Sequence, residues 1–380
     1  MIKRDVFEKI NKSLFQNKVI LIFGTRRVGK TTLLLQIIAA HEALGKKCAY
    51  LNCDLLSIKQ ALETTNEQLL RQYTDGFDII AIDEAQNVVN IGHTLKIMHD
   101  VFPKVQVIAT GSSSFDLANK TGEPLVGRSR MFVLYPFSIN ELQNTDGAFK
   151  VSANLENFLR YGMYPCIYGM TEANTQDELE NLVNGYLYKD ILAFENIKHS
   201  DQILKLLQCL ALQIGSEVSF NELATKLTIS TNTVKRYVDL LEKCYVIFTL
   251  PAFSRNLRNE ISSNRTRKIF FYDVGIRNAL LGNYQSIHIR NDVGGIWENF
   301  CIEECLKKAQ KESKKNKIYF WRNYSGREVD FIEERNGELY AYEFKYILNK
   351  KVKLPKEFSN TYNITDFKVI HKNNWMEYFF

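Results

Sequence analysis

The sequence predicts an α/β chain: a parallel sheet covered by helices on both faces at the N-terminal end, and a separate α/β unit at the C-terminal end. Three observations carry this. Short apolar runs alternate with helical stretches between residues 19 and 135, the pattern of strands buried between two helical layers. The phosphate-binding pattern Gly24-Thr25-Arg26-Arg27-Val28-Gly29-Lys30-Thr31 sits between the first strand and the first helix, the context it requires. Residues 298–345 hold a helical acid followed by three strands, the last ending in Glu343-Phe344-Lys345. Four domains are expected, at 1–145, 146–200, 201–255 and 256–380.

The first strand is Val19-Ile20-Leu21-Ile22-Phe23. After it, backbone N–H groups from Gly24 to Thr32 can close around phosphate oxygens at a helix N-terminus. Lys30 then reaches the β/γ-phosphates of ATP, and the Thr31 hydroxyl holds Mg²⁺. The next strand is expected at 48–52 and a helix at 57–73. Phe77-Asp78-Ile79-Ile80-Ala81-Ile82 runs into Asp83-Glu84; Asp83 would hold the Mg²⁺ shell and Glu84 would orient or deprotonate the attacking water. The next strand, 105–110, ends in Thr110-Gly111-Ser112-Ser113-Ser114. Either Thr110 or Ser112 senses the γ-phosphate or the water, or this stretch is a serine-rich helix cap. A fifth strand is expected at 131–135. Arg128, just before it, is a candidate for neutralising transition-state charge, in cis or from a neighbouring subunit of a homo-oligomer; a surface arginine is the alternative. Residues 152–200, including Tyr188-Lys189-Asp190-Ile191, are expected to form a helical lid and connector.

Several of these segments occur together and in order: Gly24 to Thr31, Ile82-Asp83-Glu84-Ala85-Gln86, Ala109-Thr110-Gly111-Ser112-Ser113, Gly127-Arg128, Pro136-Phe137-Ser138 and Tyr161-Gly162-Met163-Tyr164-Pro165. As a set they resemble bacterial and archaeal AAA-type ATPases that carry a C-terminal domain of largely unassigned role. The resemblance implies an ATPase core with the AAA strand order, a winged helix-turn-helix and a restriction-endonuclease-like end.

Residues 202–250 support the second of these on their own. Ile203, Leu206, Leu207, Leu210 and Ile214 make one helical stripe. Ser219-Phe220-Asn221-Glu222 opens a short helix, and Ser230 caps a second one running through Lys243. On that helix Val234, Val238 and Leu241 face inward, and Thr231, Asn232, Thr233, Lys235 and Arg236 face out. Such an edge suits phosphates and bases; contact with a protein partner is the alternative. Tyr245 to Leu250 would start a wing.

The last domain is expected to begin at Lys268-Ile269-Phe270-Phe271. Glu298 lies on a helix, Asp330 on a hairpin strand, and Glu343 and Lys345 on the next strand. Carboxylates converging beside a lysine can hold divalent metal and position water against a phosphodiester. The order resembles the PD-(D/E)xK nuclease core, with Asp330, Glu343 and Lys345 central and Glu298 as the helical acid. An alternating Glu–Lys pair on a solvent face is the plainer alternative.

The net charge is +6, and residues 253–380 hold 23 Lys/Arg against 16 Asp/Glu, a bias that favours a polyanion or marks a solvated lysine surface around Lys314-Lys315 and Lys350-Lys351. Seven scattered cysteines and no leader-like or membrane-length apolar stretch predict a cytoplasmic protein without disulfides or a membrane partner. Cys301 and Cys305, one helical turn apart, are either core thiols or part of a metal site. The expected function is an ATPase that couples nucleotide state to DNA binding, with metal-dependent cleavage at the C-terminal end. The alternatives are an ATP-driven protein-interaction switch and a transcription regulator with a non-catalytic nuclease fold.

Overall fold

The computed structural model describes residues 2–112, 125–187, 200–254, 267–314 and 316–379. Ser113, Ser114, Lys315 and the 188–191 stretch lie outside them.

The N-terminal unit comprises α1 (Phe7–Ser13), β1 (Val19–Phe23), α2 (Lys30–Glu42), β2 (Cys48–Asn52), α3 (Leu56–Leu62), α4 (Glu67–Thr74), β3 (Ile79–Asp83), α5 (Ile91–Val101), β4 (Gln106–Gly111) and β5 (Ser129–Val133). Its five strands pair in parallel in the order β2-β3-β4-β1-β5. β1 and β3 are buried along their whole length because helices cover both faces, which is why they read as continuous apolar runs. Ile20 and Ile22 pack with Leu33, Leu34 and Ile37 on one face; Leu21, Phe23, Ile80 and Ile82 pack with Leu95 and Met98 on the other. The helix expected over 57–73 is two, because Thr64-Thr65 interrupts it and Asn66 caps a new start through the Gln68 N–H. β5 lies two residues earlier than expected: Val19 pairs with Ser129 and donates its N–H to the Arg128 carbonyl.

Four short helices follow: α6 (Ile139–Asp146), α7 (Ala148–Ala153), α8 (Leu155–Tyr161) and α9 (Glu172–Asn181). Ser138 and Glu141 form a full capping box at the start of α6.

The next unit is α10 (Ser200–Leu212), β6 (Glu217–Val218), α11 (Phe220–Leu227), α12 (Thr231–Lys243), β7 (Ile247–Pro251), β8 (Arg267–Phe271) and α13 (Val274–Leu280). Ser219 and Ser230 cap α11 and α12 through the Glu222 and Thr233 N–H groups. Leu206, Leu207 and Leu210 bury against Val234, Val238 and Leu241, whereas Ile214 joins the C-terminal core. The expected boundary near 256 is corrected here. β8, read from sequence as the start of the last domain, is the central strand of the sheet β6-β8-β7; its Ile269 and Phe271 complete this unit's core, and Phe270 joins the C-terminal one.

The C-terminal unit begins with the 19-residue helix α14 (Val293–Lys311), followed by β9 (Lys317–Arg322), β10 (Glu328–Arg335), β11 (Glu338–Phe344), α15 (Lys356–Thr361), β12 (Ile364–Ile370) and α16 (Trp375–Tyr378). β9, β10 and β11 form an antiparallel meander, and β12 adds in parallel to β11. Trp297, Phe300 and Cys301 of α14 pack against Phe331, Tyr342 and Phe344. Cys301 and Cys305 are both buried, and burial pushes their thiols well up, as expected of core thiols. Among the described residues no helix is long and apolar enough to cross a membrane.

Candidate functional site

Parallel pairing brings the C-terminal ends of β1, β3 and β4 side by side, and the phosphate loop rises from the first of them. Gly24 has φ 153°, and a Cβ there would collide with the Leu134 carbonyl; only glycine lets the chain leave β1 this close to β5. Lys30 is buried, with its ammonium 3.0 Å from the carbonyl oxygens of Gly24 and Thr25. The Val28 side chain is buried and its carbonyl accepts from Arg4 at 2.9 Å. Thr32 is exposed on α2.

Beneath the loop the Thr31 hydroxyl donates to Asp83 Oδ2 at 2.8 Å. Thr110 Oγ1 donates to Asp83 Oδ1 and accepts the Glu84 N–H at 3.1 Å. Of the two hydroxyls considered from sequence, Thr110 therefore reaches the acid pair, whereas the Ser112 backbone N–H donates to Gln86 at 3.2 Å. Tyr50, which sequence reasoning missed, also donates to Asp83 Oδ2, at 2.8 Å. Glu84 sits at φ 52°, a left-handed conformation uncommon outside glycine and often found at functional sites. That turn ends β3, and Gln86 donates to the Glu84 carboxylate. A hydroxyl and a carboxylate in contact below a phosphate loop are a donor set that fits Mg²⁺.

Arg128 is elsewhere. It precedes β5 at the end of the sheet opposite the phosphate loop and pairs with Asp100 at 2.9 Å. That placement takes it away from its own nucleotide site, and the pairing with Asp100 agrees with the surface arginine named as the alternative.

The loop is tied to the rest of the chain. Thr25 Oγ1 and Tyr164 OH are 2.8 Å apart, and Arg27 pairs with Glu178 of α9. Arg4, 6% exposed, also bonds Glu141 of α6 at 3.0 Å. Tyr164 belongs to the Tyr161–Pro165 segment quoted above, so a sequence signal for it existed. Arg4 carried none. α14 is bound to the same core. Glu304 accepts the Ile139 N–H at 2.9 Å, Lys307 donates to the Phe137 carbonyl at 2.9 Å, and Gln310 donates to the Val133 carbonyl at 2.6 Å.

A second charged cluster lies in the C-terminal unit. Asp330 on β10 accepts the Phe344 N–H at 2.8 Å and the Lys345 ammonium at 3.0 Å. Lys345 also lies 2.7 Å from Glu343. Glu298 reaches the cluster from α14; carboxylate oxygens of Glu298, Glu328 and Asp330 lie within 4.8 Å of one another. The four residues read from sequence thus converge, and Glu328 joins them. Burial, with Asp330 and Glu328 nearby, pushes Glu298 up to about 8. Burial and the adjacent Asp330 also raise Glu343. Lys268 from β8 completes the group, 2.8 Å from Glu298 and paired with Glu328. Burial acts against its charge, but Glu298 and Glu328 outweigh that and push it further up.

Residues 16–143 match the family model of an AAA domain. The sheet order and the phosphate loop agree with that match. Residues 152–286 and 293–376 match two domains of unknown function, DUF8612 and DUF4143; the first extends past β8. The uncharacterized protein Rv2008c of Mycobacterium tuberculosis is 25% identical over 90% of this chain and 74% of its own length. The uncharacterized protein MJ1544 of Methanocaldococcus jannaschii is 26% identical over 87% and 75%. Among solved structures, replication initiator DnaA bound to AMPPCP and single-stranded DNA superposes with TM-score 0.29 at 16% identity, over 63% of this chain and 86% of that one. Cdc6p from Pyrobaculum aerophilum superposes with TM-score 0.30 at 11% identity, over 73% and 91%. Neither superposition reaches the level of a shared overall fold.

Proposed function

We propose that the chain hydrolyses ATP and uses the nucleotide state to control DNA binding by its C-terminal half. The Thr31–Asp83–Thr110 contact beneath the phosphate loop carries the first part. Lys30 and the loop N–H groups bind the β- and γ-phosphates, and Thr31 and Asp83 hold Mg²⁺, which neutralises phosphate charge when bound. Glu84, held by Gln86 and turned by its left-handed backbone, orients the attacking water.

The DNA part draws support from two arrangements. The order α10, β6, α11, α12, β7, β8, with sheet order β6-β8-β7, suits a winged helix-turn-helix. Its α12 presents Asn232, Lys235 and Arg236 to solvent. The α14–meander–α15–β12 order and the convergence of Asp330, Glu343, Lys345 and Glu298 suit a nuclease-like core that meets a phosphodiester. Metal-dependent cleavage by it is a poorer fit, because Lys268 already engages two of the acids. Tyr164 and Glu178, which touch the phosphate loop, support transmission from nucleotide to the middle unit. Assembly into a homo-oligomer would give Arg128 a site to complete.

Phosphate release from ATP, measured for wild type and Lys30→Ala, tests the first part; equal rates end it. Fluorescence binding to duplex and single-stranded DNA at two salt concentrations, with ATP or ADP, tests the second. Phosphate contacts weaken steeply with salt, so binding that ignores both salt and nucleotide rejects it in favour of a protein-interaction switch.

A further inference from the structure

One side chain of the middle unit enters the C-terminal acid cluster. Lys268 lies on the central strand of its sheet, so β6 and β7 fix its backbone from both sides. Its side chain is 2% exposed. The ammonium donates to Glu298 Oε1, pairs with Glu328, and sits 5.5 Å from the centre of the Phe320 ring. Gly215 closes Glu298 from another side: a Cβ there would stand 2.9 Å from Glu298 Oε2. Glu298, Glu328 and Asp330 have the spacing of a divalent-ion cage, but Lys268 already engages two of the three. An ammonium and a divalent cation on the same buried oxygens repel each other strongly, because little solvent lies between them to screen the charge. Releasing Lys268 means withdrawing a side chain anchored at the centre of a sheet.

We propose that Lys268 is a built-in cation standing between Glu298 and Glu328 in place of a divalent metal, so that the middle unit keeps this acid cluster metal-free. The inference deepens, and rests on, the nuclease-like reading of that cluster. Lys345, 41% exposed, is then the cation left to face a phosphodiester, and the domain holds nucleic acid without cutting it.

The test is Mn²⁺ binding to the full chain, followed by loss of the free-ion EPR signal. An Asp83→Asn background removes the cation site at the phosphate loop. In that background the chain binds no Mn²⁺ that Glu328→Gln abolishes. Adding Lys268→Met creates one Mn²⁺ site, tighter by at least about tenfold than any weak residual binding, and Glu328→Gln removes it. The proposal is overturned if the chain with Lys268 intact already binds an ion that Glu328→Gln abolishes, an arm that does not depend on Lys268→Met folding. It is equally overturned if a folded Lys268→Met chain gains no site. DNA binding by the same proteins separates the two ideas: Mn²⁺ behaviour as expected with no DNA affinity rejects the nucleic-acid reading and leaves Lys268 as the internal cation.

Discussion

The phosphate loop and the C-terminal cluster use the same residue types in opposite ways. In the first, Lys30 lies against neutral carbonyls, and Asp83 is occupied by the hydroxyls of Thr31, Tyr50 and Thr110. In the second, Lys268 and Lys345 rest directly on Glu298, Glu328, Asp330 and Glu343. At the first site the carboxylate meets hydroxyls that a bound cation can share. In the second the acids and lysines are already paired with one another. The contrast teaches that an acid–lysine motif says little until the partner of each charge is known.

The largest effects should come from breaking the first site. Glu84→Gln removes the group that orients water and should lower kcat for ATP by about 10²–10⁴-fold, with nucleotide still bound; Lys345→Ala should leave that rate unchanged. Stopped-flow phosphate release decides, and a loss for Lys345→Ala as large as for Glu84→Gln would erase the contrast. Stability should rank the sites in reverse. Lys268→Met strands the buried Glu298 and the half-buried Glu328 and should cost about 3–5 kcal/mol in denaturant melts, whereas Lys30→Met, which removes the bonds to the Gly24 and Thr25 carbonyls, should cost about 1–2 kcal/mol. Equal costs would mean that Lys30 is also a structural charge.

Two smaller effects sharpen the picture. Tyr164→Phe deletes one hydrogen bond from the phosphate loop, worth about 1 kcal/mol. It should shift the nucleotide dependence of DNA binding severalfold while leaving the melt nearly unchanged; an unaltered dependence removes Tyr164 from the coupling. Paired charge should also show in acid. For Asp292, just before α14, burial opposes ionisation, but hydrogen bonds from Arg290 and Arg277 win and hold it at about 2. Its folded value lies below the unfolded one, so its contribution is full above about pH 4 and fades as pH falls toward 2. Asp292→Asn should cost about 1 kcal/mol at pH 6, allowing for solvent screening of a half-exposed group, and almost nothing at pH 2. A penalty that is the same at both pH values contradicts the ion-pair origin.

The sequence was most informative where the physics is local. β1 and β3 announce themselves as apolar runs because both faces are buried, and Ser138, Ser219 and Ser230 mark helix starts because a cap acts within three residues. The phosphate loop and Asp83 were legible for the same reason, each being a strand end with a fixed geometry. The contacts of Tyr164 with the phosphate loop and of Lys268 with the acid cluster were not read, because their partners are 139 and 30 residues away. The misplaced boundary at 256 follows from this: β8 looks like a new beginning until it is seen pairing backward to β7. Arg128 misled because nearness in sequence to a phosphate-site strand does not fix which end of that strand a residue occupies.

α14 carries two sets of obligations on one rod. Its first turns deliver Glu298 to the acid cluster, and its later turns grip Phe137, Ile139 and Val133 of the N-terminal core. At about 1.5 Å per residue its 19 residues span roughly the width of a small domain. The C-terminal unit is therefore no interchangeable module. A graft from a distant relative would bring its own acids but lose the seat at Ile139, unless Glu304, Lys307 and their backbone partners travelled with it. Diversification of this chain should proceed by changing loops and surface charges around a helix whose two ends have to be inherited together.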